Sequence, residues 1–241
     1  MKQTIIDQLL IDKIGINKVC NNCKVQNGMC TTPLTPYLIS DNLTLPNERI
    51  MFIGKVARGD SFGEYVADNL EDVTSFGKDY LENNSWAYYS YTKEIVETYY
   101  GDFERALKYI SFSNMVKCNN ETMNDTTPWD AKVNCIDKNK FIWKEVEIIK
   151  PKKIIFYTHN YYDTFIEKFR PTDCYSINDI TDINHRVNIG NKTSLYWHRE
   201  FLDKNNNIVC SFLRVSHPMM KNRVDFIDSI LTWLKQGEKN N

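Results

Sequence analysis

KKIIFYT, residues 152–158, passes from two lysines through four consecutive β-branched or aromatic residues and stops at Thr158. A short, unbroken apolar run of this kind reads as a strand covered on both faces. Three other runs share its character: RIMFIG (49–54), YISFSNMV (109–116) and IVCSFLRVS (208–216). Between the four lie stretches with helical spacing of apolar residues, at Trp86 to Tyr100, Cys135 to Ile149, Tyr161 to Phe169 and Val224 to Gln236. Strand and helix alternate, so the predicted fold class is α/β, with a mostly parallel, helix-covered sheet. Ligands of such sheets sit outside the carboxyl ends of the strands. That directs attention to the loops beginning at Gly54, Asn114, Thr158 and Ser216.

A chain of 241 residues is long enough to bury one large core, and a single domain over 1–241 is the simplest expectation. Lys and Arg total 30 against 31 Asp and Glu, for a net charge of -1, so any nucleic-acid contact must be a local patch. At the N-terminus, Ile5, Leu9, Leu10 and Ile14 share one helical face while Asp7 and Asp12 interrupt the apolar character, unlike a signal peptide. No apolar stretch reaches transmembrane length, and the expectation is a cytoplasmic monomer with no membrane partner. The Asn-rich stretches CNNETMND and DKNNN read as polar surface loops.

Seven cysteines without a secretion signal point to thiols or metal ligation, not to a disulfide framework. Cys20 and Cys23 form a CxxC pair in VCNNCKVQNGMC, and Cys30 follows closely. Cys118 ends NMVKC, and Cys135 lies in VNCIDKNKFIW. Two ligands from a tight loop and two from a later segment can close around a metal centre. A zinc site built on Cys20, Cys23, Cys30 and one more thiolate is the alternative. Cys174 and Cys210 read as ordinary core thiols.

The order of these features resembles the iron–sulfur (family 4) uracil-DNA glycosylases. There, a CxxC precedes the first strand, a third cysteine ends an Asn-x-Val-Lys-Cys stretch, and a fourth lies in the next helix before a Lys-Pro-Lys strand entry. Here the sequence has Cys20 and Cys23, NMVKC ending at Cys118, Cys135, and then EIIKPKKIIFYT. The resemblance covers most of the chain. It implies a three-layer α/β/α fold around a four-stranded central sheet, and a [4Fe–4S] cluster held by Cys20, Cys23, Cys118 and Cys135 as a structural clip. Cys30 is left without a role.

A histidine in the turn SHPMM is by itself either a polar loop residue or a group aimed into a cleft, and the stretch leaves both open. The resemblance implies the second: His217 donates to the departing base. It likewise implies that Asn114, expected to end the second strand within SFSNMVKC, reads the base edge, and that Trp86 stacks on the flipped base. An amide suits a pyrimidine edge because it both donates and accepts. Strand termination and core packing are the plain readings of the same Asn and Trp.

The loop after the first strand departs from the family. Where the family shows Gly-Glu-x-Pro-Gly, this chain reads GKVARGDSFGEY from Gly54 to Tyr65. Asp60 is the expected carboxylate for positioning water or stabilising the cationic sugar, with Glu64 as its substitute. Lys55, Arg58, Arg214, Lys221 and Arg223 are the expected phosphate contacts on DNA, and Met219 and Met220 the expected apolar wedge.

The altered loop and the extra sequence before Trp86 favour a roomier pocket than uracil needs. The functional expectation is therefore a monofunctional DNA glycosylase that flips out a modified pyrimidine, such as a hydroxymethylated or glucosylated cytosine of phage DNA. The rivals are a uracil-DNA glycosylase of repair and a nucleic-acid-binding module that keeps the fold without catalysis.

Overall fold

The computed structural model describes residues 22–23, 26–28, 49–56, 78–118, 127–180, 185–189 and 192–236, with the backbone alone for 185–189 and 192–195. The N-terminal helical pattern, most of CNNETMND, and Cys20, Cys30, Arg58, Asp60 and Glu64 lie outside the described residues.

Among the described residues seven strands form the sheet: β1 (Ile50–Val56), β2 (Ile110–Val116), β3 (Lys153–Phe156), β4 (Ser176–Asp179), β5 (His185–Ile189), β6 (Lys192–Leu202) and β7 (Ile208–Arg214). The strand order is β2-β1-β3-β7-β6-β4, with β5 paired to β6. The four strands foreseen in the sequence are the contiguous parallel block β2-β1-β3-β7. The expectation of a four-stranded sheet is corrected by the antiparallel continuation through β6, β4 and β5.

What hid β6 is its charge. Arg199 sits in mid-strand yet is only 6% exposed. Its Nε and NH2 donate to the two carboxylate oxygens of Asp179 on β4, at 2.6 and 2.8 Å, so the cation is buried with a partner. The stretch DKNNN is the hairpin turn from β6 to β7. Oδ1 of Asp203 accepts from the main-chain N–H groups of Asn205 and Asn207 at 2.7 and 2.9 Å, and Asn206 takes a left-handed φ of 64°.

Helices cover both faces of the sheet: α1 (Ala87–Tyr100), α2 (Phe103–Ala106), α3 (Trp129–Lys132), α4 (Phe141–Ile149), α5 (Asp163–Ile166) and α6 (Arg223–Gln236). Strand residues alternate between two cores. Ile50 and Phe52 join α1 and α6 on one face, while Met51 and Ile53 join α4 and α5 on the other. That period of two makes the layered α/β/α arrangement, and each large side chain fully withdrawn from water contributes roughly 1.5–3 kcal/mol.

Lysines 152 and 153 serve the fold. Their ammonium groups donate to the carbonyls of Ile208 and Leu234, the second of which lies in the last turn of α6, where a cation is favoured.

Two predicted helices are broken. The run Cys135 to Ile149 divides into a π-helical turn, Val133–Lys138, and α4, with Lys140 between them at a left-handed φ of 56°. The run Tyr161 to Phe169 holds only the single turn α5. Among the described residues no helix is long and apolar enough to cross a membrane.

Candidate active site at the carboxyl ends of the parallel strands

Gly54 on β1 stands in register with Asn114 on β2. The Asn114 carboxamide rests against that glycine: a Cβ at position 54 would lie 2.5 Å from Oδ1 of Asn114 and 3.3 Å from the Tyr88 hydroxyl. Glycine is needed here for close approach, since any side chain would displace the amide or the phenol.

Tyr88 lies in the first turn of α1, and its ring stacks on the imidazole of His217 with centroids 6.0 Å apart and planes 22° apart. It also meets Tyr157 and Tyr89 edge-on, at 5.4 and 5.0 Å. Burial, reinforced by Tyr89 and Tyr157, holds the Tyr88 phenol well above its ordinary pKa. It therefore remains a protonated hydroxyl at any physiological pH.

His217 follows β7 in the turn the sequence singled out. The main-chain N–H of Met219 donates to Nδ1 of His217 at 3.2 Å. A ring nitrogen that accepts cannot carry the proton, so the neutral imidazole holds it on Nε2. A second histidine lies at the same rim. His159, after β3, donates its main-chain N–H to Val215 at 2.9 Å and takes a left-handed φ of 54°. Asn160 N–H donates to its Nδ1 at 2.8 Å, and its ring stacks on Tyr161 at 5.1 Å. Burial lowers the His159 pKa, opposed by the Asn160 side chain and assisted by the charges of Arg214, Lys221 and Lys55.

No protein-family model matches the chain, and no curated protein matches it.

Asn114 and His217 are brought to one end of the sheet, with Tyr88 beside both. Trp86, proposed as the stacking aromatic, precedes α1 and packs with Tyr80 and Tyr89, at 6.5 and 6.4 Å between centroids. The ring that stands against His217 is Tyr88, two residues on. Both Tyr88 and His159 escaped the sequence reading. The only signals for them are a tyrosine-rich helix start and a histidine just past a strand end.

The phosphate patch is also corrected. Arg214 is fully buried, and its Nε and NH2 donate to the two carboxylate oxygens of Asp163 at 2.9 and 2.8 Å. It cannot reach a phosphate at the surface. Burial pushes the Asp163 carboxyl up to about 6, against the pull of Arg214. Arg223 pairs with Glu94 on α1 at 2.6 Å and lies over the Tyr91 ring. Lys55 stands at the rim with its ammonium 4.8 Å from the centroid of Tyr161, which is 57% exposed. Lys221 lies in the loop that follows His217, where Met219 and Met220 are 60% and 74% exposed.

Of the four proposed cluster ligands, Cys23, Cys118 and Cys135 are described. Cys118 and Cys135 are buried in the core between the sheet and α4, and Cys23 packs against that core. Cys135 sits in the π-helical turn, a local widening that often marks functional positions. Among the described residues no three His, Cys, Asp or Glu side chains are grouped closely enough to hold a metal ion.

Proposed function

We propose that the chain is a monofunctional DNA glycosylase of the uracil-DNA glycosylase-like fold, acting as a cytoplasmic monomer on a modified pyrimidine in DNA. The observation that carries the reading is the rim itself. The Asn114 amide on β2 and the His217 imidazole, whose Nδ1 accepts from the Met219 N–H, flank one aromatic ring where ligands of parallel sheets bind.

Hydrolysis joins a water oxygen to C1′ while the C1′–N1 bond breaks, its electron pair leaving with the base. The cost lies in the cationic sugar and the anionic base. In this reading the Nε2–H of His217 donates to the base oxygen on which charge develops. Asn114 reads the base edge, and Asp60, or Glu64 in its place, accepts the proton of the attacking water. Lys55, Arg58 and Lys221 hold flanking phosphates.

Cys20, Cys23, Cys118 and Cys135 are the residues that would hold a [4Fe–4S] cluster, whose part here is to fasten the N-terminal segment to the end of β2 and the π-helical turn. Two of the thiols are buried and the third packs against the same core.

The altered loop from Gly54 to Tyr65 supports a substituted pyrimidine over uracil. The test is a panel of oligonucleotides carrying uracil, mismatched thymine, hydroxymethylcytosine or glucosylated hydroxymethylcytosine, scored by alkali-revealed abasic sites. Release of the 5-substituted bases is expected. Cleavage at uracil alone would return the chain to ordinary repair, and binding without cleavage of any base would make it a binding module.

A further inference from the structure

Beneath Asn114 lies an ion pair almost entirely shut off from water. Lys117 is 2% exposed and Glu145, on α4, is 0% exposed. The Lys117 ammonium makes three bonds: to Oε2 of Glu145 at 2.6 Å, to Oγ of Ser113 at 2.6 Å, and to the main-chain oxygen of Asn114 at 2.9 Å. All three of its protons are thereby used. Ser113 in turn donates to the same Oε2 at 2.6 Å. Burial raises the Glu145 pKa, and Lys117 and Ser113 oppose it.

Such a pair is a poor way to stabilise a core. Desolvating two charges consumes most of what their attraction returns, and an apolar pair of similar volume usually does as well. Moreover, Oε1 of Glu145 is buried with no hydrogen-bond partner, a further cost. What the pair does achieve is geometric. Among the described residues β2 is the last strand of the sheet path on its side, so a carbonyl on its outer edge has no described strand to meet. Lys117 reaches back three residues and holds Asn114 by its main chain, while the side chain of Asn114 rests on Gly54.

We infer that Lys117 and Glu145, with Ser113, are positioning residues that set the orientation of Asn114 toward the base. The inference rests on the glycosylase reading for its functional consequence. None of the three touches the base. They act by fixing the peptide of the residue that does, so their loss lowers the cleavage step more than DNA affinity.

The experiment is the double variant Lys117→Met/Glu145→Leu, which removes both charges and leaves none unpaired. A melting temperature at or above the parental value is expected, with single-turnover cleavage of the preferred substrate down tenfold or more and the dissociation constant for DNA within a few-fold. The same double variant is then combined with Asn114→Ala. Positioning requires that the losses not add, because an amide already misaligned has little left to lose. Parental cleavage by the double variant, or losses that multiply fully, would overturn the inference.

Hydrogen exchange gives a readout independent of activity. Amides of residues 113–118 should exchange faster in the double variant while those of β1 and β3 keep their protection, and unchanged exchange at 113–118 would overturn the inference equally. If the double variant fails to fold, Ser113→Ala takes its place in both arms. A parent that cleaves no substrate brings down the glycosylase reading, while the exchange arm still decides the positioning claim.

Discussion

Tyr88 and His217 stack with their centroids 6.0 Å apart, although 129 positions separate them in the chain. That gap is too small for a base to be sandwiched between the two rings, each of which is about 3.4 Å thick in stacking contact. In the proposed reaction the base would therefore meet His217 from another side, with Tyr88 as backing for the imidazole. Tyr88→Phe keeps the stack and should keep most of the cleavage rate. Tyr88→Ala should lose roughly 2–4 kcal/mol of stability and at least tenfold in single-turnover cleavage. Urea unfolding and rapid-quench kinetics measure the two.

His217→Ala should lose on the order of a hundredfold or more in cleavage with little change in DNA affinity, the scale of removing a preorganised donor. In the parent, nitrogen-15 shifts should show Nδ1 unprotonated and Nε2 protonated, as the bond from Met219 requires. The opposite tautomer would remove His217 from the role of donor.

Two basic residues once placed together on the phosphate patch should now separate. Arg214→Met leaves the Asp163 carboxylate buried without its partner and should cost about 3–5 kcal/mol of stability. Lys221→Gln should leave stability unchanged and reduce the slope of log affinity against log salt by about 1. Filter binding across a salt series decides the second, and denaturant unfolding the first.

His198 supplies a pH dependence. Burial, aided by Lys153, lowers its pKa from 6.5 to about 4, and its ring stands edge-on to Trp233 at 5.5 Å. Above pH 6.5 the ring is neutral in both folded and unfolded chains and adds no slope. As pH falls from 6.5 to 4, the unfolded chain takes up a proton that the folded ring refuses, so stability drops across that window. His198→Gln should lessen the drop between pH 7 and 4.5 by on the order of 2 kcal/mol, with partial exposure of the ring allowed for. Equal pH slopes for parent and variant would contradict this.

Protein purified without oxygen should be brown, with about four irons per chain, as a four-cysteine cubane requires. Cys118→Ala or Cys135→Ala should bleach it, and Cys30→Ala should keep the colour. Stoichiometric zinc without iron would replace the cluster by the zinc alternative.

The parallel block was legible because its strands are covered on both faces and so are written as uninterrupted apolar runs, KKIIFYT among them. The helices α1 and α6 were legible for the matching reason, a regular apolar face. The strand β6 was not, because Arg199 and Glu200 break its pattern and become tolerable only once Asp179 arrives from β4. The helix before Ile149 was misread because nothing local announces that Lys140 turns left-handed and divides it.

The sequence by itself determined the α/β class and the four parallel strands, and it set Asn114 and His217 near the carboxyl ends of two of them, β2 running on to Val116 and β7 stopping at Arg214, since these follow from local composition and period. Only the tertiary structure decided which neighbours those residues have. The stacking of Tyr88 on His217, the withdrawal of Arg214 into a pair with Asp163, and the bonds of Lys117 to Glu145 and to the main chain of Asn114 each join positions far apart in the chain or depend on which side chains share a buried volume. Local propensity carries no information about such contacts, because their energy comes from desolvation and pairing that exist only when the layers close.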